Sequence, residues 1–288
     1  MARQHRPPAE RVRDRLRAVA GDALARSMPS GYQRLGSVLV LRLPHALRSY
    51  DSLLGEAWRE ELGVRTVLVR SGPIEGELRR PRTDRIAGTV TETEVVEHGV
   101  RWTFDAASIM FAAGNRTERL RAGRLVRPGE TVADLFAGIG YFAVPVARSS
   151  RSVHVLAVEK NPVAYRYLVR NAALNDVADR LEAVEGDNRV VDLPLRSFDR
   201  VFLGYLPTAL PWVGRAVDLL RPGGGWIHVH TVEDARDAPS SAASSVNALV
   251  RSAGARLAEP SRAREVKPYG PGRTHVVVDA RVVPGVPA

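Results

Sequence analysis

A chain of 288 residues is long enough for two domains, or for one large domain with an appendage, each able to bury a core. It has no cysteine, which excludes disulfides, thiolate metal sites and cysteine nucleophiles; it also has no run of 18 apolar residues and no apolar core in its Arg-, Glu- and Asp-rich start, so export and membrane spanning lack support and a cytoplasmic location is expected. The net charge of +10 and pI near 10.6 point toward nucleic acid, but lysine occurs only at 160 and 267; an arginine-, alanine-, glycine- and valine-heavy chain is what a GC-rich genome gives any protein, so charge alone leaves a merely arginine-biased surface equally open.

Val12, Leu16, Val19 and Leu24 recur at helical spacing and predict one or two surface helices within a helical segment, residues 1–30. Residues 31–115 read as a small α+β module. It holds a strand over 37–43 bounded by Gly36 and Pro44, a helix over 45–62 stopped by Gly63, a strand over 64–69, and antiparallel segments 84–96 and 99–105 turning at His98-Gly99. From 116 to 288 strands alternate with helices, and the strands are nearly continuous apolar runs, as in a sheet covered on both faces. They are expected at 131–135, 153–158, 181–185, 198–203, 224–230 and 275–283, the last in a hairpin after 267–272. The Asp-, Pro- and Ser-rich stretch 233–243 reads as a loop or helix start. The fold class is therefore α/β: an open, mostly parallel Rossmann-like sheet preceded by a small α+β module.

The densest chemical signal is Thr131-Val132-Ala133-Asp134-Leu135-Phe136-Ala137-Gly138-Ile139-Gly140-Tyr141-Phe142, followed 25 residues after Asp134 by a strand ending in Glu159. Gly138 and Gly140 let the backbone turn sharply and approach a ligand, and the next helix offers unpaired amides. Glu159 can accept both hydroxyls of a ribose. The third glycine of the dinucleotide fingerprint is missing, which disfavours NAD and favours S-adenosylmethionine, a nucleoside without pyrophosphate. Asp134 can orient the turn or a bound amino group, or serve only as a helix cap. Asp187, beside Asn188 in a turn after the third strand, can accept from the adenine amine.

A fourth strand runs into the corner Leu203-Gly204-Tyr205-Leu206-Pro207. Gly204 stands where many amino-methylating enzymes place Asn or Asp to accept from the target nitrogen, so methylation by that route loses support. His228 and His230 share one face of the fifth strand, without a carboxylate or thiolate at ligand spacing, so no metal is expected and core or site-lining imidazoles are. Neither a Gly-x-Ser-x-Gly elbow nor a phosphate loop is present.

Residues 63–68, 71–79, Glu97-His98-Gly99-Val100-Arg101, 109–111, Gly114-Asn115-Arg116-Thr117-Glu118-Arg119, the glycine turn, Glu159-Lys160-Asn161-Pro162 and Lys267-Pro268-Tyr269 together resemble one family. It is the archaeal-type group of the tRNA anticodon-loop guanine methyltransferase and the wybutosine-pathway 3-amino-3-carboxypropyltransferase. The resemblance spans roughly 31–283 and leaves no room for the N-terminal tRNA-anchoring domain of some methyltransferase members. It implies a class I transferase fold. It implies S-adenosylmethionine held by Asp134, Phe136, Gly138, Gly140, Glu159, Lys160, Asn161, Asp187, Asn188, Gly204, Leu206 and Pro207. Glu118 would be a proton acceptor and Arg79 a charge stabiliser, with Tyr205 beside the reacting atoms. The methyl branch resembles Asn-Leu-Pro at the corner and the aminocarboxypropyl branch Leu-Gly-x-x-Pro; this chain matches the second. Its composition suggests a high-GC bacterium, which favours a reassigned member of the isonocardicin-synthase type that alkylates the phenol of a small antibiotic intermediate. The alternatives are wybutosine-type transfer to tRNA, tRNA guanine methylation, and a non-catalytic tRNA- or cofactor-binding module. The oligomeric state is not legible.

Overall fold

The computed structural model describes residues 6–285, in two compact units that meet in sequence between Phe111 and Ala112. In the first unit, α1 (Pro8–Arg26) begins on prolines whose fixed φ suits a first helical turn, and breaks at Gly21, where φ is +78°. The expected surface helix is amphipathic: Val12 and Leu16 are buried, while Arg11 and Arg15 reach Glu61 and Glu60 at 2.5 Å. Strands β1 (Gln33–Leu35) and β2 (Val38–Leu41) form a hairpin. A 3₁₀ turn (His45–Tyr50) and α2 (Asp51–Leu62) then lead to β3 (Thr66–Arg70), parallel to β2. Gly63 ends α2 in the left-handed conformation, at φ +60°. Leu39, Leu41, Val67 and Val69 form one core with Leu54, Ala57 and Trp58 of α2 and with Val12 and Leu16 of α1.

The segment expected as one strand over 84–96 is two: β4 (Thr83–Ala87), antiparallel to β3, and β5 (Glu92–Glu97) in a separate sheet. The break falls at Gly88, where φ is +74° and a Cβ would stand 2.0 Å from the Arg65 carbonyl oxygen, so only glycine lets the chain turn away there. β5 pairs with β6 (Val100–Asp105) through a two-residue turn, His98 at φ +51° and Gly99 at +76°, the mirror-image geometry that suits a hairpin.

The second unit holds α3 (Arg116–Leu125), β7 (Thr131–Asp134), α4 (Ala143–Ser149), β8 (His154–Glu159), α5 (Pro162–Leu174), β9 (Leu181–Glu185), β10 (Arg200–Leu203), α6 (Val213–Leu219), β11 (Gly225–Asp234), α7 (Ala238–Ser252), β12 (Arg256–Leu257), β13 (Arg262–Gly270) and β14 (Arg273–Val283). The sheet runs β12-β14-β11-β10-β7-β8-β9, with β13 also paired to β14. Strands β7 to β11 are parallel, and β14 is antiparallel to β11. Strand order reverses between β7 and β10, so the carboxyl ends of β7, β8 and β10 frame the crevice where such sheets take ligands.

The two faces of this sheet differ. Val201, Leu203, Ile227, Val229, Val276, Val278 and Ala280 pack on Val213, Ala216 and Val217 of α6 and Ala242, Val246 and Val250 of α7. The alternate positions carry Asp134, Phe202, His228, His230, His275 and Asp279. The stretch 233–243 finishes β11 and then enters α7. Ser240, Ser241, Ser244 and Ser245 stand between Ala238, Ala242, Val246 and Val250, a buried i, i+4 row built from small residues that a serine-rich composition conceals. Replacing the fully buried Trp58 by alanine is expected to cost about 3–5 kcal/mol, read as a lower urea midpoint for the transition of the first unit.

Candidate active site

The glycine turn joins β7 to the helical turn ahead of α4. Gly138 has φ +58° and Gly140 +102°, and a Cβ on either would meet Tyr141 or Val144 at 2.6 Å. The Gly138 amide donates to Glu159 Oε2 at 2.7 Å, and the Asn161 amide to Glu159 Oε1 at 2.7 Å. The carboxylate at the end of β8 thereby pins the turn at the end of β7. Asn171 of α5 holds the turn from beneath, its Nδ2 donating to the Ile139 carbonyl at 2.9 Å. The Asn161 side chain caps α5 through the Val163 amide at 3.0 Å.

Asp134 is buried beside this turn. Its Oδ1 accepts the Phe136 amide at 3.2 Å, while Oδ2 has no partner among the described residues. Burial pushes its carboxyl up to about 7, with a smaller push from Glu159. Burial also raises Glu159, against the amides of Asn161 and Gly138. Asn188 donates from Nδ2 to the Leu135 carbonyl at 2.6 Å and leaves Oδ1 buried and unpartnered. Two bare acceptors therefore flank the glycine turn, a donor-seeking arrangement that fits an ammonium and an aromatic amine.

Asp187, expected to accept from the adenine amine, also takes ion pairs: Arg189 reaches it from Nε at 2.9 Å and Lys160 from Nζ at 2.9 Å. The Arg189 guanidinium, with Lys160, holds its carboxyl well below the usual range. Of the two adjacent candidates, Asn188 keeps the free lone pair.

At the corner after β10, Tyr205 stacks on Phe136 at 5.1 Å, and Trp212 meets Phe136 edge-on at 5.0 Å. Leu206 is buried and Pro207 exposed. A Cβ at Gly204 would stand 2.6 Å from Phe142 Cε2, and that ring stacks between Phe202 at 5.7 Å and His230 at 5.2 Å. Aromatic packing therefore fills the place a side chain at 204 would need. Residues 134–142, 159–161, 187–188 and 204–207 thus form one site. Phe142, Asn171 and Trp212 belong to it and went unread in the sequence, where only the aromatic density after the glycines and a polar residue on the buried side of α5 hinted at them.

Behind the corner a polar chain crosses the sheet face. Arg200 pairs with Glu130 from Nε at 2.8 Å and donates from Nη1 to His228 Nε2 at 2.7 Å. Guanidinium has no acceptor, so Nε2 accepts and the proton of the neutral imidazole sits on Nδ1, which donates to Asp279 at 2.5 Å. Both ring nitrogens are used, leaving none for a metal. Among the described residues, no group of three or more His, Cys, Asp or Glu is placed to hold one. Asp279 also accepts from Arg121 at 2.7 Å, and His228 with Arg121 holds it below the usual carboxylate range despite burial.

Glu118 is 2% exposed, takes Arg121 at 2.6 Å and pairs with Arg264. Two guanidinium groups compete for the lone pairs that proton acceptance would use, so the geometry favours an anchoring role. Arg79 belongs to the first unit, at φ +53°, its Nη2 lying 3.8 Å from Met110 Sδ.

The carboxyl-edge crevice, the glycine turn and the acid closing β8 define a class I, nucleoside-binding transferase. The chain belongs to the TRM5/TYW2 family: the profile described as TRM5/TYW2 methyltransferase domain matches residues 93–257, and the TYW2 N-terminal domain matches 12–91. It is 35% identical over 273 residues to the tRNA(Phe) (4-demethylwyosine(37)-C(7)) aminocarboxypropyltransferase of Pyrococcus horikoshii, covering 94% of this chain and 96% of that one. It is 33% identical over 254 residues to the protein of the same name from Methanocaldococcus jannaschii, covering 87% and 97%. A crystal structure of P. horikoshii TYW2 in complex with MeSAdo superimposes with a TM-score of 0.84 at 31% identity, covering 96% of this chain and 99% of that one.

His230 Nδ1 and His275 Nε2 share one hydrogen bond at 2.8 Å, and the other nitrogen of each ring is buried without a partner among the described residues. Burial, then Lys267 and Arg264, push His275 down to about 4; burial and His275 hold His230 well below its usual value. The folded state thus binds these protons more weakly than the unfolded chain. Stability is present above about pH 6.5 and is lost as pH falls through about 4, by up to about 3 kcal/mol for His275. Urea midpoints between pH 7 and 4 should fall more steeply for the parent than for His275→Gln; equal slopes would refute the assignment.

Proposed function

We propose that this protein transfers the 3-amino-3-carboxypropyl group of S-adenosylmethionine to a base of tRNA, releasing methylthioadenosine. The observation that carries the choice of group is the corner: Phe142 fills the side-chain space at Gly204, so no Asn or Asp can stand there to accept from a nitrogen undergoing methylation. The match of 12–91 to the TYW2 N-terminal domain and the names of the two archaeal relatives support the same branch, and those names support a tRNA acceptor. The small phenolic acceptor favoured from composition draws no support from these relatives, because GC bias reports on the genome rather than on the substrate. A tRNA substrate makes the cytoplasm the natural location.

In this reading Glu159 receives the ribose hydroxyls on lone pairs left over from its two amide bonds. Asn188 Oδ1 takes the adenine amine and Asp134 Oδ2 the methionine ammonium. Gly138 and Gly140 let the backbone come close, Lys160 and Asn161 fix the rim, and Phe136 with Tyr205, Leu206 and Pro207 walls the sulfonium. The cofactor supplies a sulfonium with three electrophilic carbons, and the one held in line with the nucleophile is transferred. Tyr205 lies at the reacting end, and Glu118 positions Arg121 and Arg264. The incoming ring atom loses a proton as its new bond forms.

With cofactor labelled at the carboxyl carbon and tRNA(Phe) carrying 4-demethylwyosine at position 37, label is expected in the tRNA and methylthioadenosine as the by-product. Adenosylhomocysteine would overturn the branch. Transfer to a phenolic β-lactam but not to tRNA would overturn the acceptor.

Cofactor binding should be pH-dependent through Asp134. Below about pH 7 its carboxyl holds a proton that must leave before it can pair with an ammonium, so affinity falls as pH drops and binding releases a proton. Calorimetry in buffers of different ionisation enthalpy checks this. Asp134→Asn should weaken binding by roughly tenfold or more and abolish the proton release.

A further inference from the structure

In the first unit, strand register sets two arginines side by side, and neither has a carboxylate partner among the described residues. The parallel register of β2 and β3 pairs Leu41 with Val69, so Arg42 and Arg70 are the next residues side by side at the carboxyl edge of that sheet, on the face opposite the core. Neighbouring parallel strands lie about 5 Å apart, which sets two guanidinium stems within reach of one small anion. Arg70 is half-buried and donates from Nη2 to Gln33 Oε1 at 3.0 Å. Gln33 is itself oriented by its Nε2, which donates to the Phe111 carbonyl at 2.8 Å. Arg48, Arg59, Arg82 and Arg101 of the same unit have carboxylate partners, and Arg34, Arg65 and Arg85 spend donors on carbonyl or hydroxyl oxygens, whereas Arg42 and Arg70 stand adjacent with no carboxylate among the described residues. Burial, then the neighbouring Arg42, push the Arg70 guanidinium down, so the site disfavours its own charge as it stands. Two adjacent like charges, Arg42 exposed and Arg70 half-buried and braced by Gln33, are suited to an external anion.

We propose that Arg42 and Arg70, with Gln33 as strut, bind a phosphodiester of the nucleic-acid backbone. The occupant follows from the donors. Two planar guanidinium forks can grip the non-bridging oxygens of one phosphate or of two successive ones, and guanidinium keeps its charge when half-buried. A tRNA acceptor offers successive phosphates to the two forks, where an isolated small ion offers one. This inference rests on the tRNA reading above, and names where the polyanion is held.

The test uses the full chain and fluorescence anisotropy over a salt series, with labelled tRNA(Phe) and with an unrelated RNA hairpin of similar size. Arg42→Ala and Arg70→Ala should each weaken both RNAs about five- to tenfold and lower the salt slope by about one, and the double variant by about two. Arg101→Ala, whose partner is Glu94, should change little. Cofactor affinity and circular dichroism should stay as in the parent, which separates lost contacts from lost folding; Arg70→Lys, keeping charge without the fork, should restore part of the affinity.

Folded variants with parental RNA affinity and slope would overturn the site. Inorganic phosphate that competes beyond its ionic strength, in the parent but not in the double variant, would assign the pair to free phosphate and overturn the backbone reading. RNA binding that depends on both arginines, in a protein that transfers nothing to tRNA, would keep the site and overturn the function.

Discussion

Two carboxylates at the carboxyl ends of adjacent parallel strands, Asp134 on β7 and Glu159 on β8, set the terms for the whole second unit. Burial penalises both, and Glu159 adds to the cost of charging Asp134. Glu159 is held by the amides of Gly138 and Asn161, which fixes the left-handed turn that only glycine adopts cheaply. Asp134 has the Phe136 amide and one unanswered oxygen. The site is therefore strained toward a ligand that brings hydroxyls to one carboxylate and a cation to the other. A nucleoside with an amino-acid arm does both.

That arrangement depends on a sheet whose two faces do different work. The face toward α6 and α7 is aliphatic throughout and supplies burial free energy without direction. The opposite face carries Arg200, His228, Asp279 and Arg121 in a hydrogen-bonded series whose proton positions follow from donor and acceptor capacity alone. Such a series stabilises little beyond what an apolar filling would, but it admits few alternative packings. It orients the rings of Phe202 and His228, and through Phe202 the ring of Phe142 that closes the corner at Gly204. Gly204 thus owes its missing side chain to the aromatic ring that occupies the place.

Much of this was legible in the sequence because the signals were local. The apolar run into Asp134, the glycines, and Glu159 ending the next strand sit within one β-α-β unit, where spacing implies geometry. His98-Gly99 announced its own hairpin. Less legible were features set by tertiary competition. Asp187 and Asn188 are neighbours with equal claims on a ligand, and only the approach of Arg189 and Lys160 separates them. Glu118 reads as a free acid in a motif, yet Arg121 of its own helix and Arg264 of a distant strand enclose it. The helix α7 hid behind its serines because its buried row is alanine and valine. Gly88 split a strand for a reason found only in the Arg65 carbonyl 23 residues earlier in the chain.

Composition is a weak guide to the acceptor for a related reason. A genome that favours arginine raises the number of guanidinium groups everywhere, so their total says little about what the protein binds. Their placement says more: strand register sets Arg42 and Arg70 side by side, and Arg70 is half-buried and braced by Gln33. Compositional drift sets how many arginines there are; what distinguishes a pair is the strand register that sets it side by side and the glutamine that holds one of its members.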